Sequence, residues 1–186
     1  TRSIKEKSDS HAYILLSEDK EMSKEIAYAI SKAMMCEDFE KKDDACLECK
    51  SCMTFDSNNN PDLRIISLKE IERITGKEQK IITVDNIRDM LVSEAIYAPT
   101  NSKYKIFIIE DADLMNENAQ NALLKTLEEP NKFIKIFLLA SKESSLLQTI
   151  LSRCVTLKVM PLKAEEVSKW ALTNLDANKY KDQLSN

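Results

Sequence analysis

Five short apolar runs punctuate the chain: AYILL (12–16), LRIIS (63–67), KIFIIE (105–110), IKIFLLA (134–140) and VTLKV (155–159). All but VTLKV are apolar mainly at consecutive rather than alternate positions, and the five runs together predict buried parallel strands. Between the runs, apolar residues recur every three or four positions. Ile26, Ala27, Ile30 and Ala33 share one face of a helix that Ser23 is placed to cap and that runs to about Met35. Thr83 or Asp85 opens another helix, continuing through Leu91. Asn116 caps a further one, turning Ala119, Ala122, Leu123 and Leu127 inward and stopping before Pro130. Strand and helix in alternation predict a doubly wound α/β domain over residues 1–160. From residue 161 to 186 the pattern is helical only, which predicts the start of a second unit. SNNNP (57–61) reads as a surface turn.

Composition narrows the class. The 186 residues are 43% hydrophobic and 31% charged, the balance of a globular chain with a core that needs no disulfides. A net charge of -4 and a pI near 5.3 count against gripping nucleic acid through the whole surface and favour a protein partner. No apolar run reaches the roughly 20 residues of a membrane helix. The N-terminus, TRSIKEKSDSH, is charged rather than signal-like, so a cytoplasmic location and no membrane partner are expected. The chain starts without Met and stops at Asn186 inside a lysine-rich helical pattern, so it reads as a piece of a longer protein. It has a single glycine, which leaves turns to Asn, Asp, Ser and Pro.

Cys36, Cys46, Cys49 and Cys52 fall as C-x9-C-x2-C-x2-C, between the first helix and the second strand. Cytoplasmic thiols stay reduced, so a disulfide framework is not the expectation. Two-residue gaps turn successive thiolates toward one point, and four sulfurs at about 2.3 Å complete a tetrahedral zinc. Such a closed shell is structural, not catalytic. The bland alternative is four unrelated cysteines. The charged segment they bracket, about residues 36–52, cannot pack by itself, and metal binding on the order of 10 kcal/mol supplies the missing order. Cys154, far away in an apolar context, reads as a core residue.

The stretch LLSEDKEMSKEIAYAIS (15–31) joins a strand to a helix, where nucleotide-binding proteins place a glycine-rich phosphate loop, yet it has no glycine. Lys24 stands where the phosphate lysine would, but Glu25 replaces the magnesium-binding hydroxyl. Glu18, Asp19 and Glu21 would face the polyphosphate, and carboxylates a few Å from it cost several kcal/mol at an intermediate dielectric. Either the site has lost its ligand or it was never a phosphate loop. Glu110 and Asp111 end an apolar strand, where a nucleotide hydrolase puts its magnesium-binding and water-activating acids. Taken alone they are equally a solvated strand end. Ser141 ends the next strand, at the place of a residue that senses the terminal phosphate.

SHAYILLS (10–17), the cysteine spacing, NPDL (60–63), ITVDNIRDM (82–90), KIFIIEDADLMNENAQNALLKTLEEP (105–130) and LLQTILSRC (146–154) carry a wider likeness. Over most of residues 10–162 the chain resembles the AAA+ clamp-loader family, nearest to the delta-prime type of the bacterial DNA polymerase III holoenzyme. The resemblance implies a RecA-like AAA+ parallel sheet with an inserted zinc module, followed by a small helical lid. It places Glu18, Glu21 and Ser23 at the loop glycines, Glu25 at the hydroxyl ligand, and Glu110–Asp111 in inverted order at the acidic pair. It therefore implies structural zinc, no bound ATP and no hydrolysis in this chain. Ser152, Arg153 and Cys154 match a motif whose arginine reaches the γ-phosphate held by a neighbouring subunit, an effect reaching about 10³ to 10⁵ in rate in other nucleotide hydrolases. The partners implied are the loader's ATPase subunits and delta-type subunit, with the sliding clamp and primed DNA met through the assembled complex. Two alternatives stand beside this. One is an ATP-hydrolysing subunit of gamma/tau type. The other is a zinc-dependent nucleic-acid-binding module using Lys41, Lys42 and Lys50, against which Glu37, Asp38, Glu40, Asp43, Asp44 and Glu48 crowd the same segment. His11 is assigned no chemistry.

Overall fold

The computed structural model describes residues 10–39, 44–57 and 59–160. The second unit expected at 161–186 lies outside them, as do Lys41 and Lys42. In chain order the elements are β1 (Ala12–Leu16), α1 (Lys20–Met35), α2 (Lys50–Asp56), β2 (Leu63–Ile66), α3 (Leu68–Thr75) and α4 (Val84–Ile87). They continue with β3 (Lys105–Ile109), α5 (Glu117–Glu128), β4 (Ile134–Ala140), α6 (Gln148–Leu151) and β5 (Val155–Lys158). The strands pair in parallel in the order β2-β3-β4-β1-β5, so each predicted apolar run is a strand of one sheet.

Because successive side chains in a strand point to opposite faces, continuous apolar runs feed two cores. On one face, Ala12, Ile14, Phe107, Ile109, Ile136 and Leu138 pack with Ile71 of α3, Ile87 of α4, Leu123 of α5 and Ile150 of α6. On the other, Tyr13, Leu15, Ile106, Ile108, Phe137 and Leu139 pack with Ala27 and Met35 of α1 and Phe55 of α2. Tyr13 and Phe137 sit opposite in register and stack with ring centroids 5.4 Å apart.

Local chemistry sets the boundaries. Thr83 caps α4 through a reciprocal capping box with Asn86, and the helix continues as a π-helical turn over Arg88–Val92. Asn116 caps α5 by accepting the Ala119 N–H at 2.8 Å. Ala119, Leu123 and Leu127 are buried there, while Ala122 is only half-buried. The single glycine, Gly76, ends α3 at φ 69°, the left-handed conformation a side chain disfavours.

Two expectations need correction. Ser23 does not cap α1: the helix starts earlier, at Lys20, and Asp19 is its cap, accepting the Met22 N–H at 3.0 Å. Ser23 lies inside the helix, buried, and donates to the Lys20 carbonyl at 2.8 Å. The surface turn expected at 57–61 is exposed at Ser57, Asn59 and Pro61, but Asn60 within it is not. It is buried, and its amide donates to the Ser51 carbonyl at 3.2 Å and to Thr54 Oγ1 at 3.1 Å on α2. Among the described residues no helix is long and apolar enough to cross a membrane.

Candidate functional site

Ligands of parallel α/β sheets bind beyond the carboxyl ends of the strands, near the point where strand order reverses. Here that place gathers Ser17 after β1, Glu110 and Asp111 after β3, and Ser141 after β4. Only Ser17, Glu18 and Asp19 separate β1 from α1. A glycine phosphate loop takes eight residues, G-x4-G-K-[S/T], to curl its N–H groups round phosphate. Positions 20–25 of the matching stretch are already helix. The α1 N-terminus, where an anion would sit, is served instead by the chain's own Asp19 carboxylate.

The acids and lysines of this crossing satisfy one another. Lys24 Nζ lies 3.2 Å from Glu110 Oε1 and Lys20 Nζ 3.5 Å from Asp111 Oδ1; the two lysines are one helical turn apart. The Tyr28 hydroxyl donates to Glu110 Oε1, and burial, then this carboxylate, raises the phenol's pKa above its ordinary value. Asp111 Oδ2 accepts the Leu68 N–H at 3.2 Å. Glu18, Glu21 and Glu25 are exposed. A cavity of about 350 Å³ nearby is lined by Ser17, Glu18, Asp19, Ser141 and Lys158, among others, two carboxylates to one ammonium.

Ser141 is held from behind. Its N–H and hydroxyl donate to Asp113 Oδ2 at 2.8 and 2.6 Å, and the Ser145 hydroxyl donates to Asp113 Oδ1. Burial pushes the Asp113 carboxyl up, but these donors more than offset it and hold it below the usual carboxylate range.

The four cysteines do converge: Sγ of Cys36, Cys46, Cys49 and Cys52 lie within 4.8 Å of one another. A tetrahedron with 2.3 Å bonds needs sulfurs about 3.8 Å apart, so a modest contraction would close it. Three of the thiols accept a backbone N–H from the next cysteine: Cys36 from Cys46 at 3.3 Å, Cys46 from Cys49 at 3.2 Å and Cys49 from Cys52 at 3.4 Å. Such donors favour thiolate; with the Glu48 and Cys49 N–H groups they lower Cys46 to about 7, while burial pushes Cys52 up to about 12. Leu47 makes the turn between them at φ 65°, a strained place for leucine. Four soft donors in this arrangement suit zinc, and all four residues would hold it. Asn60 ties the module to the sheet, since its Oδ1 also accepts the Asp62 N–H at 2.9 Å. The Asp62 carboxylate in turn accepts the N–H groups of Thr100, Asn101 and Ser102 at 2.6 to 2.8 Å.

Arg153 lies between α6 and β5, at the amino end of the sheet and away from the crossing. Its Nη2 donates to Glu128 Oε1 at 2.6 Å, and its Nη1 to the Thr149 carbonyl at 3.0 Å and Ser152 Oγ at 3.3 Å. Cys154 beside it packs on the larger core, apart from the cysteine cluster, and burial lifts its thiol to about 12. His11 accounts for itself structurally, with Nε2 2.8 Å from the Leu127 carbonyl.

The sequence profile of the family described as "DNA polymerase III, delta subunit" matches residues 1–163. This chain belongs to that family. It is similar to DNA polymerase III subunit delta' of Bacillus subtilis, 32% identical over 158 residues, covering 85% of this chain and 44% of the relative. To subunit delta' of Pseudomonas aeruginosa it is 40% identical over 111 residues, 60% of this chain and 31% of the relative. Subunit tau of Escherichia coli is 29% identical over 157 residues, 84% of this chain and 23% of the relative. The chain thus spans less than half the length of these relatives. A crystal structure of a gamma subunit-related protein from Thermotoga maritima shares the fold at a TM-score of 0.57 and 23% identity, over 96% of this chain and 50% of that one. The chain is a delta-prime-like member of the clamp-loader family.

Within this family member, sequence reasoning identified Lys24, Glu110 and Asp111 but not their mutual pairing. It missed Lys20, Tyr28 and Asp113 altogether. It also missed Gln120, which bridges α5 to the segment before α6: Nε2 donates to the Ser145 carbonyl at 3.1 Å and Oε1 accepts the Leu147 N–H at 2.8 Å. The acid at 113 in "EDADL" was a visible signal, but its partners lie 28 and 32 residues away in sequence.

Proposed function

We propose that this chain acts as a non-catalytic, delta-prime-type subunit of the bacterial clamp loader. It has a RecA-like AAA+ body whose own pocket neither binds nor hydrolyses ATP, a structural zinc at Cys36, Cys46, Cys49 and Cys52, and Arg153 offered to a neighbouring ATPase subunit. The observation that carries this is the crossing: three residues between β1 and α1, the helix N-terminus capped by Asp19, and Lys24 bound to Glu110. A triphosphate would have to displace a carboxylate at each of the places where it binds in an intact site. Arg153 is partly exposed at the amino end of the sheet, outside the crossing, and a planar, always-charged guanidinium suits charge stabilisation in phosphoryl transfer. In that role it meets the ATPase and delta-type subunits, and reaches clamp and primed DNA through the assembly.

Arg153→Ala in the full-length chain, reconstituted with the ATPase subunits, is expected to spare folding and metal content. It is expected to lower the complex's ATP hydrolysis at least about 10-fold, toward the loss known for missing arginine fingers. Unchanged hydrolysis in a fully assembled complex removes the role. Similarity to tau and gamma subunits favours a second reading, an ATP-hydrolysing subunit, which micromolar ATP binding by this chain alone would support. A nucleic-acid module has less behind it, since Asp44 and Glu48 of the same segment are exposed as Lys50 is.

A further inference from the structure

We infer that Glu128 is a positioning residue for Arg153, holding the guanidinium in the orientation in which it is presented to the neighbour's phosphate; this rests on the trans-arginine reading above. Arginine has five N–H donors in a rigid plane. Three of them are spent on this chain: one Nη2–H on Glu128, and both Nη1–H groups on the Thr149 carbonyl and Ser152 Oγ. Two of these acceptors come from α6 and its end, the third from the end of α5, a different element. The plane is therefore fixed from two sides. Nε–H and the second Nη2–H remain without a partner among the described residues, a pair of donors suited to phosphate oxygens.

Position 128 is unfavourable for a carboxylate on helix grounds. It is the last residue of α5, where the helix dipole is negative, and Glu129 follows as the C-cap. The pairing with Arg153 supplies a reason for it. At 49% side-chain exposure Glu128 leaves the cation near the surface, where its attraction for a polyphosphate persists. In the neighbour's hydrolysis the water oxygen bonds to the γ-phosphorus as the β,γ-bridging P–O bond breaks, releasing ADP and inorganic phosphate. Arg153 makes and breaks no bond; it offers charge and directed N–H donors to the phosphoryl group, so its orientation governs the rate of that step.

The test is steady-state ATP hydrolysis by the reconstituted complex containing full-length wild type, R153A, E128A, E128Q, E128K or the E128A/R153A double variant, with assembly checked by gel filtration. E128A is expected to lower kcat on the order of tenfold, with the KM for ATP changed by less than about twofold. E128Q, which keeps an oxygen acceptor, recovers most of the rate, and E128A adds no further loss in the R153A background. E128K, at an exposed position that tolerates the change, repels the guanidinium and carries the same loss should E128A fail to assemble. Wild-type rates for E128A and E128K beside a low R153A rate overturn the role of Glu128 and leave the trans-arginine reading standing. An equal loss from E128A in both backgrounds, or a raised kcat, also overturns it. Wild-type hydrolysis with R153A ends the reading itself.

Discussion

The crossing at the carboxyl end of the sheet and the cysteine cluster at the end of α1 are both clusters of ionisable groups, yet they stand in opposite relation to outside ligands. At the crossing, unlike charges meet: Lys20 with Asp111, Lys24 with Glu110, Asp19 with the helix N-terminus. These charges have internal counterparts, so an incoming anion must break what is there. In the cluster, four thiols of one kind face each other and take backbone N–H donors, with no opposite charge among the four. Such a set could hold a metal ion. Complementary groups close a site, and identical groups leave it open to an ion.

Breaking the open site should have the largest effect. Elemental analysis of the purified chain is expected to find about one zinc per molecule, and Cys49→Ala to abolish it, because Cys49 caps α2 and would be one of the four ligands. The cost is on the order of several kcal/mol, read as lost hydrogen-exchange protection across α2 and the Asn60 contacts. Retained protection without metal would make the two regions alike. Breaking the closed site costs less. Glu110→Ala removes the acceptor of Tyr28 and the partner of Lys24, itself partly exposed and screened, and should lower the unfolding free energy by about 1–2 kcal/mol in urea titrations. It should not create ATP binding, because the three-residue connection and Asp19 remain.

The smallest effect sharpens the comparison through pH. Asp113 has a lowered carboxyl pKa in the folded chain, so the stability it contributes is present above the ordinary carboxylate value and lost as pH falls through the folded one. Asp113→Asn should therefore cost about 1 kcal/mol at pH 7, and the gap from wild type should shrink below about pH 4. A gap that persists in acid would mean that packing, not ionisation, holds Ser141.

The three central strands were legible because each is a run of apolar residues buried almost throughout, whereas the edge strands β2 and β5 carry Arg64, Thr156 and Lys158 and are only partly buried. Thr83 and Asn116 were legible as caps because each precedes its helix with the right spacing. Ser23 misled for a related reason: Asp19 is an equally good cap, and only tertiary placement of α1 against the sheet decides between them. The cysteines were readable since their spacing constrains the chain locally. Pairings such as Lys20 with Asp111, or Asp113 with Ser141 and Ser145, join residues far apart in sequence and follow only from strand order. Asn60 shows the same limit, because a turn residue and a buried anchor look alike until α2 packs above it.

Equilibrium titration of the full-length chain with labelled ATP and magnesium bears most directly on the central claim. A self-satisfied crossing predicts no saturable binding up to millimolar nucleotide, whether Glu110 is present or replaced. Saturable micromolar binding that weakens when Lys24 is changed to Ala would contradict it.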